Sequence, residues 1–264
     1  MSDETEDQRF ERLSRDRLLR PLPKRFYKAV AVVPAPLSSP GSSAGEKRAH
    51  YRVALDDKPI RTPAKRYLEL PTLALAKAIA AEWDAQRERV DPATMPLTRL
   101  ANSAIDGVAA RQAEVRADIA KFAASDLVCY RAEQPEQLVA QQAAAWDPIL
   151  AWARDVLGAR LHTATGIMPM AQPAAATAAV AAALEEHDAF ALAAVHVMTT
   201  LMGSAILALA HAQGRLTTEA AWAAAHVDED FQISRWGWDA EAKARRERGW
   251  AEMQAASRML ALLA

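Results

Sequence analysis

Glu82, Asp84, Glu88, Asp91 and Asp106 crowd into AEWDAQRERVDPATMPLTRLANSAIDGV, residues Ala81 to Val108. Paired carboxylates are working groups of general acid–base catalysis, so this stretch is the first candidate for a reaction. Its spacing favours a plainer role. Asp91 precedes Pro92, an arrangement that starts a helical turn. Asp106 follows Ile105 and is expected to face solvent or to cap a neighbour. Asp126 is different. It falls four residues after Phe122, on an apolar helical stripe, and a buried carboxylate must be hydrogen-bonded or paired. A structural link to backbone N–H groups or to an arginine is expected of it.

Metal and nucleophile chemistry find little support. The histidines are His50, His162, His187, His196, His211 and His226, with no HExxH pair and no two at i,i+4. Glu185-Glu186-His187-Asp188 is polar, but adjacent residues on a helix point apart, so a solvated turn is expected. His226 and Glu229 stand at i,i+3, a permitted ligand pair that lacks a third ligand nearby. GSSAG, with Ser43 at the nucleophile position, matches GxSxG literally. That motif needs a strand before it and a helix after it, and here it lies in a Ser, Gly and Pro-rich loop. Cys129, in DLVCY, reads as a small core residue. No phosphate-binding glycine loop occurs. No metal and no cofactor are expected.

Glu229 stands out for another reason. With Thr217 to Arg235 taken as one helix, Trp222, Ala225, Glu229, Gln232 and Trp236 share a stripe. Asp228 and Asp230 are rotated off it and are expected in solvent. A polar helix end facing water is one reading. The other is a binding face, since aromatic anchors around a few polar groups are typical of protein interfaces. Trp238 adds aromatic area beside it.

The chain that must position these groups has 264 residues, half of them apolar and many of those alanine. Lys plus Arg (32) nearly balances Asp plus Glu (33), for a net charge of -1. Such a balance provides no field for steering to nucleic acid or an anionic membrane. One cysteine excludes an intrachain disulfide and suits a reducing compartment. The charged, acidic N-terminus lacks the apolar core of a secretory signal and the basic character of a transit peptide. The most apolar run, Val195 to Ala212, is interrupted by His196, Thr199, Thr200, Ser204 and His211. Membrane spans need about 20 mostly apolar residues, so a buried core helix is expected and no membrane insertion.

Three organisational units are expected: a charged arm over residues 1–22, a β-rich domain with accompanying helices over 23–125, and a helical domain over 126–264. The fold class is α+β, a small β-rich N-terminal domain followed by an all-α C-terminal domain. RFYKAVAVVPAP reads as a strand ended by prolines. Tyr51, Val53 and Leu55 alternate, Asp56 to Pro59 turn, and Ile60 to Thr62 return as a second strand. Tyr67, Leu68 and Leu70 offer a third. Thr72 caps a helix carrying Leu75, Ile79 and Trp83. Leu97, Leu100, Ala104 and Val108 form the next stripe, and Val115, Ile119 and Phe122 another. Gln137 to Trp146 is expected as one helix, with Asp147-Pro148 starting a second that ends at Gly158. Ala174 to Glu186, Ala189 to Gln213 and Thr217 to Arg235 are each expected as one helix, and Asp239 opens the last.

Several of these segments carry a resemblance. EWDAQRERVDPATMPLTRLANSAID resembles the signature of the ATP-twelve family, the α-subunit assembly chaperones of the F1 part of ATP synthase. So do KRFYKAV, LDDKPIRTPAKRYLELPT, SDLVCYRAEQPEQLVAQQAAAWDPILAW, TGIMPMAQP and VDEDFQISRWGWDAEA. They occur in family order from Arg25 to about Arg246. The Ser/Gly loop after Pro36 and the Ala-rich segment at Ala174 to Ala183 are not distinctive of the family.

The resemblance implies a β-rich N-terminal domain, a helical C-terminal domain and a protein that is not an enzyme. It implies binding of the unassembled F1 α subunit over the surface that later meets the β subunit; nothing in the sequence demands more than a monomer. A glutamate near the C-terminal end is tied to function in the family, and Glu229 is its closest match, with Glu241 second. The expected partner-binding set is Glu229, Gln232, Trp236, Trp238 and Glu241. The tryptophan of the EW motif matches Trp83, whose place at the end of a buried stripe makes it structural, like Asp126. The lack of a targeting segment implies a bacterial, cytoplasmic member, or the mitochondrial matrix for a eukaryotic one. Two other readings stand beside it: a metal- or carboxylate-dependent hydrolase using Asp126, His226 and Glu229, and a holdase or scaffold without a specific client.

Overall fold

Alternating apolar residues pair into a small sheet at the start of the chain, in a computed structural model that describes residues 21–36, 49–166 and 168–264. Ser43 and residues 1–20 of the expected arm lie outside the described residues. Strand β1 (Val30–Pro34) pairs antiparallel with β2 (Tyr51–Leu55), with Val32 opposite Val53. β2 also pairs with β3 (Lys58–Pro59) and β4 (Glu69–Leu70). The β2–β3 hairpin turns on Asp56 and Asp57, at φ 45° and 66°. Positive φ at both central residues matches the twist of the flanking strands. The return strand is therefore earlier than the expected Ile60 to Thr62; Arg61 makes only an isolated bridge to Tyr67.

Thr72 caps α1 (Leu73–Asp84) by accepting the Leu75 N–H at 3.1 Å. Leu75 and Ile79 are fully buried, whereas Trp83 is only half-buried. Helix α2 (Pro96–Ser103) continues through a wider π-type turn, Ala104–Val108, into α3 (Gln112–Phe122). Beyond it Leu127–Cys129 makes a single 3₁₀ turn. Strand β5 (Tyr130–Arg131) then pairs in parallel with β6 (Ala164–Thr165), a two-stranded sheet without any sequence period to announce it.

The helical part differs from expectation at three junctions. Gln137 to Trp146 and the segment after Asp147 form one helix, α4 (Glu136–Trp152), with Pro148 inside it. Asp147 pairs with Arg131 at 2.8 Å instead of capping. A proline removes one backbone donor, and the buried Trp146 and Ile149 on either side hold the helix through the gap. After α5 (Ala174–Ala183), the expected Ala189 to Gln213 helix is two, α6 (Ala189–Met202) and α7 (Ala205–Ala212). Gly203 takes φ 64°, and Ser204 caps α7 through the Leu207 N–H. The expected Thr217 to Arg235 helix is also two, α8 (Thr218–Ala225) and α9 (Val227–Trp236), broken at His226.

The last helix, α10 (Ala240–Leu263), lies across α6 and reaches back to the N-terminal part. Arg99 pairs with Glu252, and Thr72 Oγ1 donates to the Leu262 carbonyl at 2.6 Å. One hydrophobic core runs from Tyr27 through Met198 and Ile206 to Met259. The fold is α+β, a small strand-containing N-terminal part followed by helices.

Candidate functional site

Three of the five opening carboxylates, Glu82, Asp91 and Asp106, hold backbone N–H groups, whereas Asp84 pairs with Arg25 at 3.5 Å; Glu82 acts across elements. Its two oxygens accept the Leu97 and Thr98 N–H groups at 2.8 Å each, and the Thr98 hydroxyl at 2.7 Å. A side chain of α1 thus satisfies donors at the N-terminus of α2. Asp91 caps the turn after it through the Ala93 N–H at 2.9 Å. Asp106 accepts from Thr62 Oγ1 at 2.7 Å and the Ala64 N–H at 2.9 Å, tying the loop after the sheet to the π-type turn. Beside Glu82, the Trp83 ring meets Tyr27 at 5.8 Å between centroids, and the Tyr27 hydroxyl donates to the Trp83 carbonyl at 2.7 Å.

Asp126 is fully buried, off the helix that carried its expected stripe, and starts the 3₁₀ turn. It accepts the Val128 N–H at 3.3 Å and the Ile206 N–H at 3.1 Å, so it binds the N-terminus of α7. Burial pushes its carboxyl up to about 6 against these bonds and one from Ser204. Burial likewise pushes the Cys129 thiol up to about 12, which leaves it inert. Asp126 shares no hydrogen bond or ion pair with His226 or Glu229, so the three do not form one acid–base constellation.

The polar cluster lies where α9 meets α10. Gly237, at φ 79°, reverses the chain between the two helices and returns Trp238 over α10. There the Arg246 guanidinium sits 5.5 Å from the Trp238 ring centroid. Its Nη1 is 3.3 Å from Glu229 Oε2 and 2.5 Å from Asp230 Oδ1. Asp230 is therefore ion-paired, and Asp228 accepts from Gln142 Nε2 at 2.6 Å, so neither is a purely solvated acid as expected. Gln142 is buried and also accepts the Ala132 N–H at 2.8 Å, which fixes α9 against α4.

His226, at the helix break, accepts its position from three sides. Its Nδ1 lies 2.7 Å from the Trp222 carbonyl, its ring 4.0 Å from the Trp222 ring centroid, and its Nε2 3.9 Å from Glu229 Oε2. Burial is the main cause holding its pKa below the usual imidazole value. Trp222 in turn meets Trp250 at 5.5 Å. Trp222, Trp238 and Trp250 line an open cleft of about 280 Å³, edged by Lys243, Arg246 and Glu247.

Of the expected partner-binding residues, Trp236 is 80% and Trp238 49% exposed, and Gln232 and Glu241 are exposed. Glu229 is partly buried and engaged by Arg246. The break at His226 interrupts the stripe that linked Trp222 to Glu229, yet both border the same cluster through His226. Arg246, Lys243 and Trp250 were missed by sequence reading. Their i, i+3, i+7 spacing places them on one helical face, a signal that was present in the chain.

A second, larger cleft of about 640 Å³ shares no lining residue with the tryptophan cluster. Pro63, Leu100, Asp106, Arg111, Asp118 and His196 are among its walls. Two of its three acids are committed: Asp106 to the loop above, and Asp118 to Lys121 at 2.7 Å, which lowers the Asp118 pKa. Among the described residues, no three His, Cys, Asp or Glu side chains are grouped as a metal site requires.

Comparison with known proteins adds to this geometry. The family described as "ATP12 chaperone protein" matches residues 24–154. The chain is similar in structure to the Atu1473 protein of Agrobacterium tumefaciens, a candidate chaperone, at 47% identity and a TM-score of 0.85, covering 95% of this chain and 90% of that one. It is also similar to Atp12 from Paracoccus denitrificans, at 40% identity and a TM-score of 0.83, covering 92% and 99%. A lysine-substitution mutant of the Paracoccus protein matches at 40% identity and a TM-score of 0.82, covering 92% and 98%.

Proposed function

The chain belongs to the ATP12 chaperone family, and from that premise we propose that it binds the unassembled α subunit of F1-ATP synthase and covers the surface that will meet the β subunit. Members of this family are chaperones and not enzymes, and the chain is a chaperone of ATP synthase assembly. It works by occupying a protein surface, with no bond made or broken. An orphan subunit exposes an apolar patch that invites aggregation. A transient cap must hold that patch and then yield to the true partner, which suits a modest, partly polar interface.

The observation that carries the docking surface is the pair of outward tryptophans, Trp236 and Trp238, at the α9–α10 turn. Exposed tryptophan beside arginine is the composition of interface hot spots. Gln232 and Glu241 border this turn on α9 and α10, and Glu229 supports it from within through Arg246. Trp83 and Asp126 serve the fold instead. A monomer in the bacterial cytoplasm fits this role; no helix among the described residues is long and apolar enough to cross a membrane.

Co-expression with separate F1 subunits tests the reading. Purified chaperone is expected to retain α subunit over β subunit and to keep α soluble without nucleotide or metal. Equal aggregation of α with and without the protein would overturn it, and equal retention of many unrelated proteins would favour a holdase without a specific client.

A further inference from the structure

The cleft between Trp222, Trp238 and Trp250 has no occupant within the described chain, and its chemistry specifies one. Its volume, about 280 Å³, falls at the lower edge of small-molecule sites, which run from about 300 Å³. Such sites also need a few convergent polar groups to fix orientation. Here the inner one, Arg246, is spent on Glu229 and Asp230. What remains is an open, tryptophan-lined socket with room for one large side chain.

Two charges stand at its edge. Lys243 and Glu247 both line the cleft and lie four residues apart on α10, so they are about 6 Å apart along the helix. Neither has an ion-pair partner among the described residues. An apolar socket between one unpaired cation and one unpaired anion is complementary to a segment with the reverse charges. Unpaired rim charges of this kind fix register and select among partners.

We propose that this cleft is the socket for a single leucine-to-phenylalanine-sized side chain of the client subunit, flanked there by an acidic residue that meets Lys243 and a basic residue that meets Glu247. The inference rests on the chaperone reading above and names what that surface grips. It also assigns Glu229 an indirect part. Glu229 and Asp230 hold the Arg246 guanidinium against the Trp238 ring, so they set one wall of the socket without touching the client.

The socket is tested without the client by titrating the full chain with N-acetyl-phenylalaninamide and following indole N–H resonances. Those of Trp222, Trp238 and Trp250 are expected to shift, and that of the fully buried Trp146 to stay; N-acetyl-alaninamide should move none. Shifts absent or spread evenly over all tryptophans would overturn the socket. The flanking charges are tested by capture of F1 α subunit. Lys243→Glu and Glu247→Lys are each expected to weaken capture at least tenfold with an unchanged circular dichroism spectrum, as is Trp238→Ala. Phe26→Ala, at a 72% exposed site in the N-terminal part, should change it less than twofold. Full capture by the Trp238 or the charge-reversed variants would sink the proposal. If the wild type captures no α subunit, the client assignment fails, and the resonance titration still decides the socket.

Discussion

Arg246 of α10 reaches Glu229 of α9 at 3.3 Å while its guanidinium lies under the ring of Trp238. The acid that sequence reading singled out for partner contact is thus tied inward. Glu229→Lys sets a second cation beside Arg246 and removes one of its two carboxylate partners. A partly exposed pair of this kind contributes about 0.5–1 kcal/mol. The fold should therefore persist, with a melting temperature within a few degrees of wild type, while the ability to keep F1 α subunit soluble falls severalfold. A large drop in melting temperature would show that Glu229 is a structural residue instead.

Glu82 holds three donors of α2, two of them backbone N–H groups. Losing a helix cap costs about 1 kcal/mol, and hydrogen bonds to a charged acceptor are worth about 1.5–3 kcal/mol each. Glu82→Ala is expected to destabilise by about 2 kcal/mol or more, and Glu82→Gln, which keeps one acceptor oxygen, by less. Urea unfolding measures both. An alanine variant with an unshifted midpoint would mean that water replaces the carboxylate at no cost.

Asp126 sets a pH dependence with a definite sign. Its folded pKa, about 6, lies above the ordinary 3.8 because burial penalises the charged form. Between about pH 4 and 6 the native protein then binds more protons than the unfolded chain, so this group's contribution to stability falls as pH rises through that window. Two pKa units correspond to about 3 kcal/mol. Asp126→Asn removes the titration. Wild-type stability minus variant stability, from urea melts, should decline by about 2–3 kcal/mol from pH 4 to pH 7. A constant difference would place the native carboxyl at an ordinary pKa.

These three acids show what the sequence discloses and what it hides. Asp126 was legible as buried and bonded because it interrupts an apolar stripe, but the sequence left backbone N–H groups and an arginine equally open as partners, and the N-terminus it binds lies 80 residues on. Glu82 was legible only as a member of a charged run, since the donors it accepts come from another helix. Thr72, Leu75 and Ile79 announced α1 by cap and period. The break at Gly203 was hidden because a lone glycine does not end a helical pattern, and Ser204 as its cap was lost inside the apolar run. The break at His226 left no proline or glycine at all, so Trp222 and Glu229 read as one stripe. The tryptophan cleft joins α8, the α9–α10 turn and α10, and no local window contains all three.

Gly249 lies against Trp222, one of the cleft's tryptophans, and gives a prediction that runs against helix propensity. It lies in the interior of α10, where glycine costs about 1 kcal/mol relative to alanine. Gly249→Ala should therefore stabilise the protein if propensity alone decided. A Cβ there, however, would stand 3.0 Å from Trp222 Cη2. Trp222 cannot swing away freely, because its ring is held between His226 at 4.0 Å and Trp250 at 5.5 Å. The methyl must push the indole outward and loosen its contact with His226, which offsets the gain. The expected result is a melting temperature no higher than wild type, with altered tryptophan fluorescence and weaker capture of F1 α subunit. A variant that gains the full increment, with fluorescence and capture unchanged, would show that Trp222 is free to move and that the cleft is not held open by the glycine.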